Sequence, residues 1–197
     1  MSVIKIEDIA HVRFSAPDLA AMQSFLEDFG LSCIHTADGR LFARSGDGSP
    51  FVHATETGEP AFKALGLRAE SLADLDRLAA FDGVTVEDLD APGGGKVVRL
   101  QDPNGFAVEV VAGQQWSVPE SLAPDPVRNS AANRTRLRQT VRLAGGPSRV
   151  LRLGHCVLNV SDFRASEAWY KERFGFVTSD EVHASPGLAM GAFMRCD

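Results

Sequence analysis

The sequence predicts an α+β fold made of β-α-β-β-β modules, and three observations predict it. The first is a repeat. Ile9-Ala10-His11-Val12-Arg13-Phe14 is echoed by Leu153-Gly154-His155-Cys156-Val157-Leu158, and Asp18, Leu19, Phe25 and Leu26 by Asp162, Phe163, Trp169 and Tyr170, all at an offset of 144. Phe29-Gly30 returns as Phe174-Gly175 after one inserted residue. Self-similarity of this kind means copies of one structural unit. The second observation is that residues 1–112 run twice through the order strand, helix, three strands. The third is the punctuation, with Gly, Asp, Asn and Pro turns between short apolar runs.

The elements follow in order. Ala10–Phe14 alternates and reads as a strand. Pro17 and Asp18 open a helix whose Leu19, Met22, Phe25, Leu26 and Phe29 make one apolar face, and Gly30 ends it. Strands follow at Leu31–Thr36, Arg40–Arg44 and Phe51–Thr55, with turns at Asp38-Gly39 and Gly46-Asp47-Gly48. The second module has a strand at Ala61–Ala69. A capping box, Ser71 to Asp74, starts a helix with Leu72, Leu75 and Leu78 on one side. Strands at Val84–Glu87, Lys96–Leu100 and Phe106–Val111 complete it, the last two joined by the turn Asp102-Pro103-Asn104-Gly105. Residues 113–150, broken by Pro119, Pro124, Pro126 and Pro147, read as a linker. From Leu153 the pattern restarts. His155–Val160 reads as a strand and Ser161 or Asp162 as a cap. Phe163–Phe174 is a helix, and strands at Phe176–Ser179 and Ala189–Arg195 flank a turn at Pro186-Gly187. The expected domains are therefore 1–112, a linker at 113–150, and a single module at 151–197.

The 197 residues carry a formal net charge of −6, which argues against a nucleic-acid surface. The charge is uneven: residues 1–112 hold 9 basic and 18 acidic side chains, and residues 113–152 hold 7 Arg and 2 acids. The run Arg134-Thr135-Arg136-Leu137-Arg138 reads as a solvated linker lying across acidic surfaces. No secretory leader or membrane-length apolar stretch is read. Cys33, Cys156 and Cys196 are odd in number and lack metal-type spacing. A reduced, cytoplasmic protein that binds neither membrane nor nucleic acid is the expectation.

Paired β-α-β-β-β modules with Asp102-Pro103-Asn104-Gly105 followed by Glu109 resemble the vicinal oxygen chelate superfamily, which includes glyoxalases, bleomycin resistance proteins and extradiol dioxygenases. The resemblance implies that two modules curl into a half-open barrel. Leu153-Gly154-His155, Ser161-Asp162-Phe163, Trp169-Tyr170, Phe174-Gly175 and Gly191–Asp197 look like the two-domain extradiol ring-cleavage dioxygenases acting on 2,3-dihydroxybiphenyl or catechol. That narrower resemblance implies cleavage of a small aromatic diol by dioxygen at a non-haem Fe(II), or Mn(II), held by two His and one Glu. His155 matches the first ligand. The repeat places the other two beyond Asp197, so the second domain is expected here only as its first module, with an incomplete metal site and no turnover by this chain alone. Val157, Phe193 and Arg195 fall where the resembled enzymes edge their substrate pocket.

In the first domain His11 sits where His155 sits, and Glu109 stands where single-domain relatives place a carboxylate ligand. The intervening position falls near Lys63 or Ala64, neither of which serves. His11 and Glu109 are therefore a possible remnant site in a domain expected to be metal-free. His53 is a poor substitute, and His35 and His183 read as surface residues. Two alternatives stay open: a metal-free small-molecule binding module, or a glyoxalase-like metalloenzyme acting through His11 and Glu109. A lone β-α-β-β-β module has an open sheet edge, so residues 151–197 are expected to pair with another chain in a homo-oligomer.

Overall fold

The computed structural model describes residues 2–121, 131–132 and 148–196. The first module comprises β1 (Ile6–Ala16), α1 (Leu19–Phe29), β2 (Ser32–His35), β3 (Leu41–Arg44) and β4 (His53–Thr57). The second comprises β5 (Ala61–Ala69), α2 (Leu72–Asp82), β6 (Val86–Asp88), β7 (Lys96–Gln101) and β8 (Ala107–Ala112). Their eight strands form one curved sheet in the order β2-β3-β4-β1-β5-β8-β7-β6. Exchanging the two modules reverses this order onto itself. The seam is the antiparallel pair β1–β5, and on either side of it β1 pairs in parallel with β4 and β5 with β8. The α+β class and the paired modules are as the sequence predicts.

Local chemistry sets the helix ends. Asp18 accepts hydrogen bonds from the backbone N–H groups of Ala20 and Ala21, and Ser71 and Asp74 form a reciprocal capping box. Gly30 closes α1 at φ 108°, a left-handed conformation that other residues rarely adopt. A Cβ there would also stand 1.7 Å from the carbonyl oxygen of Ser148, so glycine is needed twice over.

Two faces differ from the sequence expectation. Phe25 and Phe29 are 61% and 57% exposed, stacked on each other at 6.1 Å rather than packed inward. The apolar stripe of α1 is wider than the surface beneath it, which Leu26, Met22 and Leu19 already fill together with Leu41, Ala43 and Val52. In α2, Leu75 and Leu78 are fully buried, while Leu72 lies at the exposed first turn.

The third module departs further. The expected strand His155–Val160 does not form, and residues 148–160 carry no regular structure. Strand propensity is realised only when a neighbouring edge completes the backbone hydrogen bonds. Here β9 (Val177–Ser185) and β10 (Leu188–Arg195) form a separate two-stranded sheet and do not pair with this segment. What does form is α3 (Phe163–Phe174), capped by Asp162 and ended by Gly175.

α3 packs into the core of the first two modules. Tyr170 and Phe174, 4% and 1% exposed, join Ile4, Ile6, Leu65, Leu67, Leu75 and Leu78 in one cluster. The N–H groups of Val3 and Ile4 donate to the carbonyls of Glu172 and Arg173, capping the C-terminal end of α3. Arg173 clasps the carboxylate of Asp82 at 2.6 and 3.0 Å and lies over the ring of Trp169. Residues 117–120 and 150–151 meet at one loop: Gly46 N–H donates to Val150 O and Asp47 N–H to Leu151 O, while Glu120 and Ser117 N–H donate to Gly46 and Gly48 carbonyls. The Arg134–Arg138 run lies outside the described residues. Among those described, no helix is long and apolar enough to cross a membrane.

Phe174→Ala should cost about 3–5 kcal/mol, because it empties a fully buried aromatic site between α3 and the sheet. Urea unfolding followed by circular dichroism measures this. A loss under about 1 kcal/mol would mean that α3 is not part of the first-domain core.

Candidate functional site

His11 and Glu109, 98 residues apart, meet across the centre of the sheet. Register brings them together: His11 lies opposite Gly66 on β5, and Gly66 lies beside Glu109 on β8. His11 Nε2 is 2.9 Å from Glu109 Oε2, and both residues are almost fully buried. The carboxylate can only accept, so Nε2 carries the proton in this bond. The imidazole is sandwiched between the Phe51 ring, 4.6 Å away, and the backbone of Gly66. A Cβ on Gly66 would stand 2.3 Å from Nδ1 and Cε1, so only glycine leaves room for the ring. The position directly opposite His11 is therefore Gly66. Ala64 lies opposite Arg13, and Lys63 pairs with Glu56 at 3.3 Å.

Two further cations, which the sequence reading did not single out, converge on the same carboxylate. Arg13 Nη1 donates to Glu109 Oε1 at 2.7 Å, and Arg99 Nε donates to the same oxygen at 3.2 Å. Arg13 also approaches Glu56 at 3.6 Å, and Arg99 pairs with Glu87. Burial alone would raise the Glu109 carboxyl. The hydrogen bond from His11, the charges of Arg13 and His11 and the hydrogen bond from Arg13 outweigh it and hold the group down to about 2.

This donor set does not fit a metal ion. A metal ligand must offer free lone pairs toward an open coordination position. Here both oxygens of Glu109 are engaged, two guanidinium groups sit beside them, and β5 offers only glycine opposite His11. A divalent ion would have to displace those cations or be repelled by them. No group of three or more His, Cys, Asp and Glu able to hold a metal occurs among the described residues. A cavity of about 10 Å³ beside Ala10, Phe51 and Val52 has room for about one water, and neither His11 nor Glu109 lines it. A larger groove of about 380 Å³ adjoins that cavity, along Glu7, Arg68, Glu70, Gln114 and Trp116.

The remaining histidines stay apart. His53 stacks on Phe14 at 5.3 Å, and burial pushes it down to about 4, so it is neutral at physiological pH. His35 meets Gln23 at 2.7 Å and His183 meets Glu181 at 3.2 Å, both at the surface. His155 is exposed in the irregular segment ahead of α3. Val157 and Phe193 are 75% and 63% exposed, and Arg195 is also exposed, near the end of β10. The structure thus brings His11 and Glu109 together and leaves His155, Val157, Phe193 and Arg195 outside any enclosed site of the described residues. The three cysteines are half-buried and free, and burial raises each thiol, the opposite of what a nucleophile needs.

The profile of the Glyoxalase/Bleomycin resistance protein/Dioxygenase superfamily matches residues 152–197. No curated protein matches the chain significantly. Among solved structures, the chain is similar to a Mn(II)-bound glyoxalase from Novosphingobium aromaticivorans, with TM-score 0.76 and 21% identity over 98% of this chain and 59% of that one. It is similar to the 2,3-dioxygenase LapB from Pseudomonas sp. KL28, with TM-score 0.76 and 17% identity over 98% of this chain and 67% of that one. It is similar also to a variant of homoprotocatechuate 2,3-dioxygenase from B. fuscum, with TM-score 0.74 and 20% identity over 98% and 51%. The chain thus spans between half and two thirds of the length of these proteins.

The depressed Glu109 carboxyl makes a pH prediction. A group with a lowered folded pKa stabilises fully above its unfolded value and loses that contribution as pH falls toward the folded value. The stability gap between wild type and Glu109→Gln should be constant above about pH 4.5 and narrow as pH falls toward about 2. Unfolding titrations across that window measure it; a gap independent of pH would remove the ionised pair. Residues 152–197 carry the sequence signature of the Glyoxalase/Bleomycin resistance protein/Dioxygenase superfamily, and the chain has the fold that these glyoxalase and dioxygenase structures share.

Proposed function

We propose that this chain is part of an extradiol ring-cleaving dioxygenase that opens a small aromatic diol with dioxygen, using non-haem Fe(II) or Mn(II). The observation that carries the reading is the position of His155. It lies inside the segment that matches the superfamily profile, in repeat register with His11 and just ahead of the Asp162-capped helix. In this reading residues 151–197 are the first module of the catalytic domain, and residues 113–150 are a linker. Residues 1–112 form a supporting domain without a metal.

His155 is the one residue described here to which the reading gives a metal-ligand role, and by itself it does not make a metal site. Such a metal, once bound, would supply joint binding of the diol and dioxygen. The chain's own residues have other tasks. The Glu109 cluster gives the first domain a neutralised, closed centre. Val157, Phe193 and Arg195 remain the candidates for contact with an aromatic substrate, Phe193 by stacking and Arg195 by charge. The β9–β10 hairpin exposes Val182, Leu188, Met190 and Phe193. Its open edges are where pairing with another chain in a homo-oligomer belongs.

The arginines around Glu109 weigh against a glyoxalase-like reaction at His11 and Glu109. The two readings separate by metal content. In the full-length native protein, His155→Ala should lower bound metal and reduce ring cleavage by more than about 100-fold. His11→Ala combined with Glu109→Gln should leave the metal-to-protein ratio unchanged. Mass spectrometry of the metal and absorbance of the ring-opened product give the two readouts. Loss of metal in the double variant but not in His155→Ala would overturn the proposal in favour of the first domain.

A further inference from the structure

The turn between β7 and β8 reaches beyond its own hairpin. Asp102 Oδ1 accepts from the backbone N–H groups of Asn104 and Phe106 at 2.8 and 2.9 Å, which fixes the loop. The Asn104 side chain leaves that fixed loop and meets the third module. Its Oδ1 accepts from the backbone N–H of Ser161 at 2.8 Å and from Ser161 Oγ at 2.9 Å. Its Nδ2 donates to Ser166 Oγ at 2.8 Å, and Ser166 Oγ donates on to the Asp162 carbonyl at 3.0 Å. On the next turn of α3, the Tyr170 hydroxyl donates to Asp102 Oδ2 at 3.2 Å. One four-residue turn therefore grips α3 at Ser166 and Tyr170 and the residue ahead of its cap, Ser161.

We propose that Asn104 is a positioning residue that fixes the His155 segment against the first domain; this rests on the functional reading given to His155. Ser161 is six residues beyond His155, and between them Cys156 and Leu158 pack, half-buried, against the same core as Tyr170. The segment is thus held by apolar contact near His155 and by hydrogen bonds at its far end. The grip is not a property that every module shares. By the repeat, Ser161 corresponds to Pro17, which has no N–H to give. The chemistry also selects the side chain. An amide accepts from Ser161 and donates to Ser166 at once, whereas a carboxylate of the same length can only accept.

Hydrogen exchange and steady-state kinetics of the full-length native protein test this with Asn104→Ala and Asn104→Asp. In Asn104→Ala the amides of residues 155–166 should exchange at least about tenfold faster while those of β1, β5 and β8 do not change. The kcat/KM for diol cleavage should fall by about 10- to 100-fold. Asn104→Asp should restore protection at Ser161, because it keeps the acceptor. Unchanged exchange at 155–166 overturns the proposal. So does faster exchange throughout the sheet, which would make Asn104 a residue of general stability. Faster exchange at 155–166 with unchanged kcat/KM overturns it as well. A wild-type protein that cleaves no diol defeats the functional reading instead, and the exchange pattern then decides alone whether Asn104 holds the segment.

Discussion

A carboxylate buried as deeply as that of Glu109 has to be neutralised, and the first domain is organised around doing so. The desolvation of such an ion costs several kcal/mol unless partners compensate it. Its partners come from both modules: His11 and Arg13 from β1, Arg99 from β7. One charge therefore ties the β1–β5 seam to the far side of the sheet, across 96 and 98 residues of sequence. The same requirement dictates Gly66, because the imidazole reaches Glu109 only by lying flat over a strand residue without a side chain. It also governs chemistry. A site whose negative charge is already met by two guanidinium groups has no electrostatic use for a divalent ion.

The same economy recurs where the third module joins. α3 buries Ser166, Glu167, Tyr170 and Phe174, two of them polar and one charged. Each polar group has its partner. Ser166 takes the Asn104 amide, and Glu167 takes Lys171 and Arg164, both at 2.7 Å, together with the hydroxyl of Thr178 on β9. Tyr170 gives its hydroxyl to Asp102, and burial together with that neighbouring charge pushes its phenol upward. The helix thus has two loyalties. Tyr170, Phe174 and Ser166 face the first domain, and Glu167 faces the hairpin.

What was legible in the sequence was local. Asp18, the Ser71–Asp74 box, Asp162, Gly30 and Gly175 act within a few residues of themselves, so their roles survive without knowledge of the fold. The succession of strands and helices along 1–112 was legible because periodicity and turns repeat. The rest depended on who stands next to whom. Phe25 and Phe29 have helical spacing, but spacing does not say how wide a groove awaits them. Asp102-Pro103-Asn104-Gly105 reads as a turn, and nothing nearby in sequence announces that Asn104 will meet Ser161, 57 residues on. Gly66 did carry a signal, since a glycine inside a long strand marks a close approach. Arg13 carried another: two residues beyond His11 on a strand, it shares a face with it.

His11 and His155 show what pairing contributes. They hold the same place in the repeat, yet one is almost wholly buried and the other is exposed. Their flanking sequences are alike, so the difference lies in their neighbours. β1 lies between β4 and β5, and the second module closes over His11 from across the seam. Residues 155–160 have no strand on either side among the described residues, and β9–β10 keep to each other. A strand laid against 155–160 as β5 lies against β1 would do several things together. It would complete the backbone hydrogen bonds that the sequence pattern calls for, bury His155, and set a residue opposite it as Gly66 is set opposite His11. The exposure of His155 is thus a property of unpaired backbone and not of the histidine.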